Sequence, residues 1–341
     1  MSSPLTGFRS VRGHGAVLEL LRRAITHDRV ASVYLFAGAQ GVGKDRVAHA
    51  LAQTLNCRAR LTPIDACGAC DACRKIATAV HPDLLVVQRD FKEGAKESEA
   101  ERRRGQRIED TPEAELRPNI TVEQVEELLA RMPFRPHEGG ARVVIVREAD
   151  KLLPAAANKL LKTLEEPPRD THFVLVTHKP SMLLPTIRSR CQVIRFGLLD
   201  TPDVAAVLAD LGVDASHASL GDGSVGRALT FGNPEELKAR QAIVDEVLAC
   251  LRAGHPGAYV TLGERVKELD KRELDAVLSL LQRHFRAEAT QHADAAGRRA
   301  AVNAARGDLV REAQEQLEGG ANLNVQLVFE ALLVKLREAR A

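Results

Sequence analysis

Short apolar runs rich in β-branched residues recur through the first part of the chain, separated by loops and helical patterns. The runs are VYLFAG at 33–38, LLVVQ at 84–88, RVVIV at 142–146, HFVLVT at 172–177 and QVIRF at 192–196. Helical spacing of apolar residues appears between them, at 45–55, 122–131 and 155–165. This alternation predicts an α/β domain with a parallel sheet built from βαβ units.

The pattern changes after Phe196, where no further strand is expected. Residues 203–211 and 225–231 have the spacing of short helices, and 234–341 is helical throughout, with loop signals near 254–257 and 319–320. We therefore expect an α/β domain at 1–198, a small helical domain at 199–233 and an all-α domain at 234–341.

One stretch of the first domain breaks its periodicity. Residues 91–118 are almost all charged or small, which predicts a mobile insertion. Its triple arginine at 102–104 could touch a phosphate backbone, but a run of mixed charges is more often a solvated surface.

Composition narrows the functional classes. The 341 residues are 45% hydrophobic and 28% charged, with 48 basic against 46 acidic side chains, so no strong global field draws the chain to nucleic acid. There is no Trp and there are only 2 Tyr, which argues against a dedicated single-strand binder. The N-terminus has no leader pattern and no apolar run is long enough for a membrane span, so we expect a soluble, cytoplasmic protein.

A phosphate-binding loop is the first candidate site. Gly38, Gly41, Gly43 and Lys44 fit G-x-x-x-x-G-K directly between a strand and a helix, where backbone N–H groups and the lysine can surround phosphates. The next residue should be a magnesium-binding Ser or Thr, but it is Asp45. A glycine-rich turn without a ligand therefore stays open, as does nucleotide binding without turnover.

The second element of an ATPase is altered as well. An apolar strand should end in a metal-binding aspartate followed by a glutamate, and RVVIV is followed by Arg147 and Glu148. Asp150 lies a full turn too far along the chain to replace that aspartate. Two losses at one metal make magnesium-dependent hydrolysis at this site improbable.

Four cysteines form the sharpest cluster of the sequence. The spacing C-x9-C-x2-C-x2-C suits a closed tetrahedral zinc site, a structural rather than a catalytic one, whereas the alternative is a set of unrelated reduced thiols. The candidate ligands are Cys57, Cys67, Cys70 and Cys73. Cys191 and Cys250 are isolated and are expected to be ordinary buried residues.

The segment LLPTIRSRC at 183–191 places two arginines between two strands. An arginine at a domain edge can reach the γ-phosphate that a neighbouring subunit holds. From the residues alone, a solvated or salt-bridged arginine is the more common case.

Together these segments resemble the clamp-loader subunits of the AAA+ superfamily, which serve bacterial DNA polymerase III. The resemblance rests on YLFAGAQGVGK at 34–44, the cysteine set, AANKLLKTLEEPP at 156–168 and LLPTIRSRCQVIRF at 183–196. GDGSVGRAL at 221–229 resembles the family's small helical domain, whereas 234–341 matches only in length and helical character.

The resemblance implies roles for particular residues. It makes the four cysteines zinc ligands of a small module at 57–73, and it makes Arg190 the finger directed at ATP in an adjacent motor subunit. Thr177 and His178 fall where active relatives sense the γ-phosphate, and Arg227 falls near the second sensor.

The resemblance also implies a ring-like loader joined through its C-terminal helical domains, the collar. The expected partners are motor subunits of the gamma/tau type, a delta subunit, the sliding clamp and, through the complex, primed DNA. Motor subunits share most of these motifs, but Asp45 and Arg147 favour a non-hydrolysing subunit. The alternatives are an ATP-hydrolysing gamma/tau-type motor and a zinc-dependent nucleic-acid-binding module, against which the near-neutral charge argues.

Overall fold

The computed structural model describes residues 6–60, 62, 64–91, 116–138, 140–253, 257–269, 271–291, 297–319 and 324–339. The chain divides into two compact units, residues 1–229 and 230–341. The expected insertion lies mostly at 92–115, outside the described residues, and so does its triple arginine.

A five-stranded parallel sheet forms the centre of the first unit. Its strands are β1 (Val33–Gly38), β2 (Leu84–Val87), β3 (Arg142–Val146), β4 (Thr171–Thr177) and β5 (Gln192–Phe196), in the order β2-β3-β4-β1-β5. The register places Leu35 of β1 opposite Leu175 of β4 and Val193 of β5. This confirms the predicted strands and their parallel arrangement.

Helices cover both faces of this sheet. They are α1 (Gly15–Thr26), α2 (Lys44–Asn56), α3 (Asp71–Ala77), α4 (Val122–Ala130), α5 (Pro154–Glu165) and the single turn α6 (Pro185–Arg188). Tyr34 and Phe36 pack with α1 and α2, whereas the alternate residue Leu35 packs with α4 and α5. Burial on both faces explains why the strands are apolar without alternation.

A small helical segment ends the first unit. It contains α7 (Thr201–Asp210), a 3-10 segment (Ala215–Gly221) and α8 (Val225–Leu229). Val204, Leu208 and Ala228 form a separate apolar core there. The predicted boundaries of a small domain at 199 and 233 stay a prediction.

The second unit is built only of helices in the part of it that the structure describes. They are α9 (Pro234–Ala253), α10 (Gly257–Val266), α11 (Lys271–Gln291), α12 (Gly297–Gly319) and α13 (Val325–Glu338). Asn324 caps α13, because its side-chain oxygen accepts the backbone N–H of Gln326 at 3.0 Å. The helical C-terminal region agrees with the sequence prediction.

The sequence reading missed α1 and α3. Val17, Leu18 and Leu21 of α1 are buried, and their spacing is an amphipathic signal that was available in the sequence. Among the described helices, none combines the length and apolar character that a membrane span requires.

Candidate functional site

The carboxyl ends of the parallel strands meet at one edge of the sheet, where ligands of open α/β folds bind. The glycine loop follows β1, Arg147 follows β3 and Thr177 ends β4, so all three lie at this edge. The structure therefore brings together most of the residues that the sequence linked to ATP chemistry.

The glycine loop has the strand-loop-helix context that was predicted. Gly41 and Gly43 have φ values of 72° and 100°, a conformation that favours glycine. Lys44, the first residue of α2, is buried, and its Nζ donates to the carbonyl oxygens of Gly38 at 2.8 Å and Ala39 at 2.6 Å. The lysine thus binds the carbonyl groups of its own loop.

The two departures from the ATPase pattern form an ion pair with each other. Nε of Arg147 donates to Oδ1 of Asp45 at 2.7 Å, and Nη2 donates to Oδ2 at 2.8 Å. Nη1 of Arg147 donates to the side-chain oxygen of Gln88 at 2.9 Å, and Nδ1 of His49 lies 3.3 Å from Oδ2 of Asp45. Such a two-point pair fixes both side chains geometrically.

The glutamate after Arg147 is paired in the same way. Glu148 has φ 45°, and its carboxylate accepts Nε of Arg89 at 2.8 Å and Nη2 at 3.0 Å. The Arg89 side chain is buried, so the pair is fixed in the interior. The sequence reading missed Arg89, whose only signal is its position just after β2.

The small helical segment contacts the glycine loop directly. Backbone N–H of Gly226 donates to the carbonyl oxygen of Gly41 at 3.0 Å, and the Ser224 hydroxyl donates to the carbonyl oxygen of Gln40 at 2.7 Å. A Cβ atom at Gly226 would lie 2.8 Å from Cα of Gly41, so only glycine permits this approach. These contacts at the start of α8 therefore hold the glycine loop in place.

The residues expected as γ-phosphate sensors belong to two elements, the end of β4 and α8. Thr177 is buried, its hydroxyl donates to Asp150, and it accepts the backbone N–H of Lys179 at 2.9 Å. Nδ1 of His178 lies 3.8 Å from the Asp150 carboxylate. Arg227 belongs to α8, and its backbone N–H donates to the Ser224 hydroxyl at 3.2 Å.

Arg190 lies just before β5, at the amino-terminal ends of the parallel strands and thus opposite the ends that carry the glycine loop. Its Nη1 donates to the carbonyl oxygen of Thr186 at 2.7 Å, and its Nη2 bonds to the carboxylate of Glu165 at the end of α5. Its Nε is buried and has no hydrogen-bond partner among the described residues. The sequence did not indicate the pairing with Glu165.

The four cysteines meet in space. Their sulfur atoms all lie within 4.8 Å of one another, with Cys57 to Cys70 and Cys67 to Cys73 at 4.0 Å. Backbone N–H groups point at these sulfurs, as those of Cys67 and Cys70 do toward Cys57 and Cys67 at 3.2 Å. Four thiol groups converging in this way can hold a metal ion.

Hydrogen bonds divide the thiols into two classes. The N–H groups of Ala69 and Cys70 lower the pKa of Cys67. Burial raises the pKa of Cys70, but hydrogen bonds from Cys73, Arg58 and Cys67 outweigh it and bring that pKa to about 6. Burial raises the pKa of Cys57 and Cys73. Hydrogen bonding therefore favours the thiolate form at Cys67 and Cys70.

The cysteine module is joined to the rest of the first unit by polar contacts. Gln53 of α2 donates to the carbonyl oxygen of Cys73 at 2.8 Å and accepts the N–H of Gly7 at 2.8 Å. Asp65 accepts the N–H of Phe8 at 2.9 Å. The module therefore anchors the start of the described chain against α2.

The isolated cysteines lie apart from this cluster. Cys250 is buried in the second unit, and burial raises the pKa of Cys191 to about 12. Neither contributes to the group of sulfurs that can hold a metal.

A scan of protein families matches residues 13–200 to the family described as DNA polymerase III, delta subunit. DNA polymerase III subunit delta' of Pseudomonas aeruginosa is 37% identical over 161 residues, 47% of this chain and 42% of that protein. DNA polymerase III subunit delta' of Bacillus subtilis is 30% identical over 249 residues, 72% of this chain and 67% of that protein.

A DNA polymerase III subunit other than delta' is also similar to this chain. DNA polymerase III subunit tau of Escherichia coli is 34% identical over 197 residues, 58% of this chain and 26% of that protein. The chain thus spans less than half of the Pseudomonas relative and about a quarter of tau.

Proposed function

The chain belongs to the delta-prime family of DNA polymerase III subunits, and from this membership we propose that it is a non-hydrolysing clamp-loader subunit. Its task is to complete the ATP site of an adjacent gamma/tau motor subunit with Arg190. The other partners are a delta subunit, the sliding clamp and, through the complex, primed DNA. The site of action is the cytoplasmic replisome.

The observation that carries this proposal is the ion pair of Asp45 and Arg147. Magnesium is bound through oxygen ligands, and both oxygens of this carboxylate already accept N–H groups. A guanidinium group, which stays charged, occupies the place next to it where a second metal ligand is needed. The pair supports the absence of magnesium-dependent turnover at this site.

Two other charged side chains that ATP hydrolysis normally uses are also bonded to groups within this chain. Glu148, at the position of a water-activating glutamate, bonds to Arg89, and Lys44 bonds to two carbonyl oxygens of its own loop. A group that is fixed in an internal pair is poorly placed to act on a substrate. The chain is therefore better suited to assist a neighbouring site than to hydrolyse ATP itself.

The position of Arg190 supports action on another subunit. Phe196 of β5 pairs with Gly38 at the glycine-loop edge, whereas Arg190 precedes the opposite end of that strand. At about 3.3 Å per residue, β5 alone separates Gln192 from the level of Gly38 by roughly 13 Å, and Arg190 lies two residues before Gln192. This distance from its own loop supports a role for Arg190 at a phosphate that another subunit supplies.

Zinc fits the four cysteines as a structural ion. Cys57, Cys67, Cys70 and Cys73 would hold it, and four sulfur ligands leave no open position for a substrate. When bound, the ion supplies cross-linking of the module rather than catalysis. Hydrogen bonds of Gln53 and Asp65 connect the cross-linked module to α2 and to residues 7–8.

The test is DNA-stimulated ATPase activity of a loader reconstituted from this chain, motor subunits, a delta subunit, clamp and primed DNA. Arg190→Ala should remove turnover at the one site that this arginine serves, because a trans arginine accelerates its site by about 10³ to 10⁵-fold. The neighbouring exposed arginine, in Arg188→Ala, is the matched control and should leave activity unchanged.

Two results would contradict the proposal. Unchanged turnover with Arg190→Ala in a fully assembled loader would exclude the trans role of this residue. Magnesium-dependent ATP hydrolysis by the isolated chain would favour the motor-type alternative instead.

A further inference from the structure

The side chain of Arg190 is 31% exposed, and contacts within its own chain hold its guanidinium group. Nη1 donates to the Thr186 carbonyl oxygen at 2.7 Å and approaches the Ser189 hydroxyl oxygen at 3.4 Å, while Nη2 bonds to Glu165. Nε has no partner among the described residues. The guanidinium group is thus oriented by the chain while its hydrogen bonding remains incomplete.

The position of Glu165 is unusual for a carboxylate. It is the last residue of α5, where backbone carbonyl groups already concentrate negative partial charge, so an acidic side chain is unfavourable there. A cation next to it offsets this repulsion. Arg190 provides that cation. Glu165 is 46% exposed, and Glu166, next in the chain, is exposed as well.

The elements that carry the two residues are fixed to each other. Leu164, the neighbour of Glu165, and Ile187 of α6 are both buried in the same apolar core. The backbone of Arg190 is tied to that turn, because its N–H donates to the carbonyl oxygen of Ile187 at 3.1 Å. Core packing therefore holds the backbones that carry Glu165 and Arg190 close to each other.

We infer that Glu165 is a positioning residue for Arg190. It holds one N–H of Nη2 and so fixes the orientation of the guanidinium group, while the second N–H of Nη2 stays available for a phosphate oxygen of the neighbouring subunit's ATP. This inference rests on the proposed trans role of Arg190. Glu165 itself does not contact the nucleotide.

Without Glu165, the Arg190 side chain would lose a bond that restricts its rotamers. A free arginine side chain samples many rotamers, and small misplacements of a catalytic group can lower a rate by about 10²-fold. Fixing the side chain before the neighbour arrives removes that loss. Removal of Glu165 should therefore slow turnover without weakening assembly.

The experiment isolates the site that Arg190 serves. A loader is built with motor subunits whose own arginine of the same motif is replaced by alanine, so that Arg190 is the one finger left in the complex. Glu165→Ala should then lower kcat by about 10- to 100-fold with KM for ATP unchanged. Glu165→Gln, which keeps an acceptor oxygen, should lower kcat less.

A double substitution separates positioning from general damage. Arg190→Ala with Glu165→Ala should be no slower than Arg190→Ala alone, because a positioning residue has nothing left to position. Glu166→Gln is the matched control and should keep the wild-type rate.

The outcomes distinguish the two proposals. If Arg190→Ala slows turnover but Glu165→Ala does not, or if the two losses multiply, the positioning role is wrong while the trans role stands. If Arg190→Ala has no effect, the proposed function itself is wrong. A faster rate with Glu165→Ala would show that the carboxylate restrains the arginine, which also overturns the inference.

Discussion

Asp45 and Arg147, which are far apart in sequence, form a two-point ion pair at the head of α2. Their side chains are 20% and 13% exposed, so solvent screens the pair only partly. Each residue alone looks like the loss of a metal ligand. Together they form a pair in which the guanidinium group of Arg147 neutralises the carboxylate of Asp45.

This pair should contribute to stability as a coupled unit. Arg147→Ala removes the guanidinium partner of a half-buried carboxylate, so we expect the free energy of unfolding to fall by about 1–3 kcal/mol in urea denaturation. Adding Asp45→Ala should cause less further loss than the two single effects predict, since the partner is already missing. The exposed pair Arg23 and Glu19 is the control, with changes within about 0.5 kcal/mol. Strictly additive losses at Asp45 and Arg147 would contradict the coupling.

The same pair predicts how nucleotide binding can be restored. The double variant Asp45→Thr with Arg147→Asp returns a hydroxyl and a carboxylate to the metal position, so it should gain ATP binding that depends on magnesium. Either single change leaves one ligand missing and should not. Isothermal titration with ATP, with magnesium or with a chelator, measures this difference. If the unaltered chain already bound ATP in a magnesium-dependent way, the ion pair could not be a substitute for the metal.

The sequence predicted the sheet well because its strands are buried on both faces. Continuous apolar runs such as RVVIV at 142–146 have few alternatives to a central parallel strand. The prediction did not include helix α1, although the spacing of Leu18 and Leu21 is an amphipathic signal.

Ion pairs and hydrogen bonds between residues far apart in sequence were much harder to predict than helices and strands. A charged residue gives no sign of its partner when the two are far apart in sequence, as Arg89 and Glu148 are. Spacing identified the cysteine set because its members are close in sequence and share one chemistry. The bond between Arg190 and Glu165 depends on the packing of α5 and α6, which no local pattern encodes.

The cysteine cluster should contain zinc in the purified protein. We expect about one zinc ion per chain by elemental analysis, and close to none after Cys73→Ser, because a structural site needs all four ligands. Cys191→Ser and Cys250→Ser are the matched controls and should retain the metal. Zinc removal by a chelator should also lower the melting temperature, since the module anchors residues 7–8 through Gln53 and Asp65. Full zinc content in Cys73→Ser would disprove the assigned ligand set.

The contact between Gly226 and Gly41 should not tolerate a side chain. A Cβ at position 226 would lie 2.8 Å from Cα of Gly41, so Gly226→Ala has to move α8 away from the glycine loop. We expect a loss of about 1–3 kcal/mol in unfolding free energy. Gly15→Ala, at the start of α1, adds a methyl group where nothing lies within 4 Å and should be neutral or slightly stabilising. Equal effects of the two substitutions would show that the close approach does not occur in solution.

Acid should destabilise the first unit through His81, whose side chain is buried. Burial lowers the pKa of His81, although the neighbouring carboxylates of Glu138 and Asp83 oppose this shift and Lys75 and Arg58 add to it. Nδ1 of His81 accepts the backbone N–H of Asp83 at 3.1 Å, a bond that protonation of this nitrogen would remove.

The direction of the effect follows from proton linkage. With its pKa lowered by folding, the imidazole binds protons more readily in the unfolded chain, so stability is intact above the unfolded value of about 6.5 and falls as the pH drops below it. Urea unfolding between about pH 5 and 8 should show this loss in the wild type. His81→Gln keeps an acceptor oxygen but does not titrate, so its stability should be flatter over this window. The exposed His27, replaced in His27→Gln, should leave the wild-type slope unchanged, and an unchanged slope in His81→Gln would assign the pH dependence to another group.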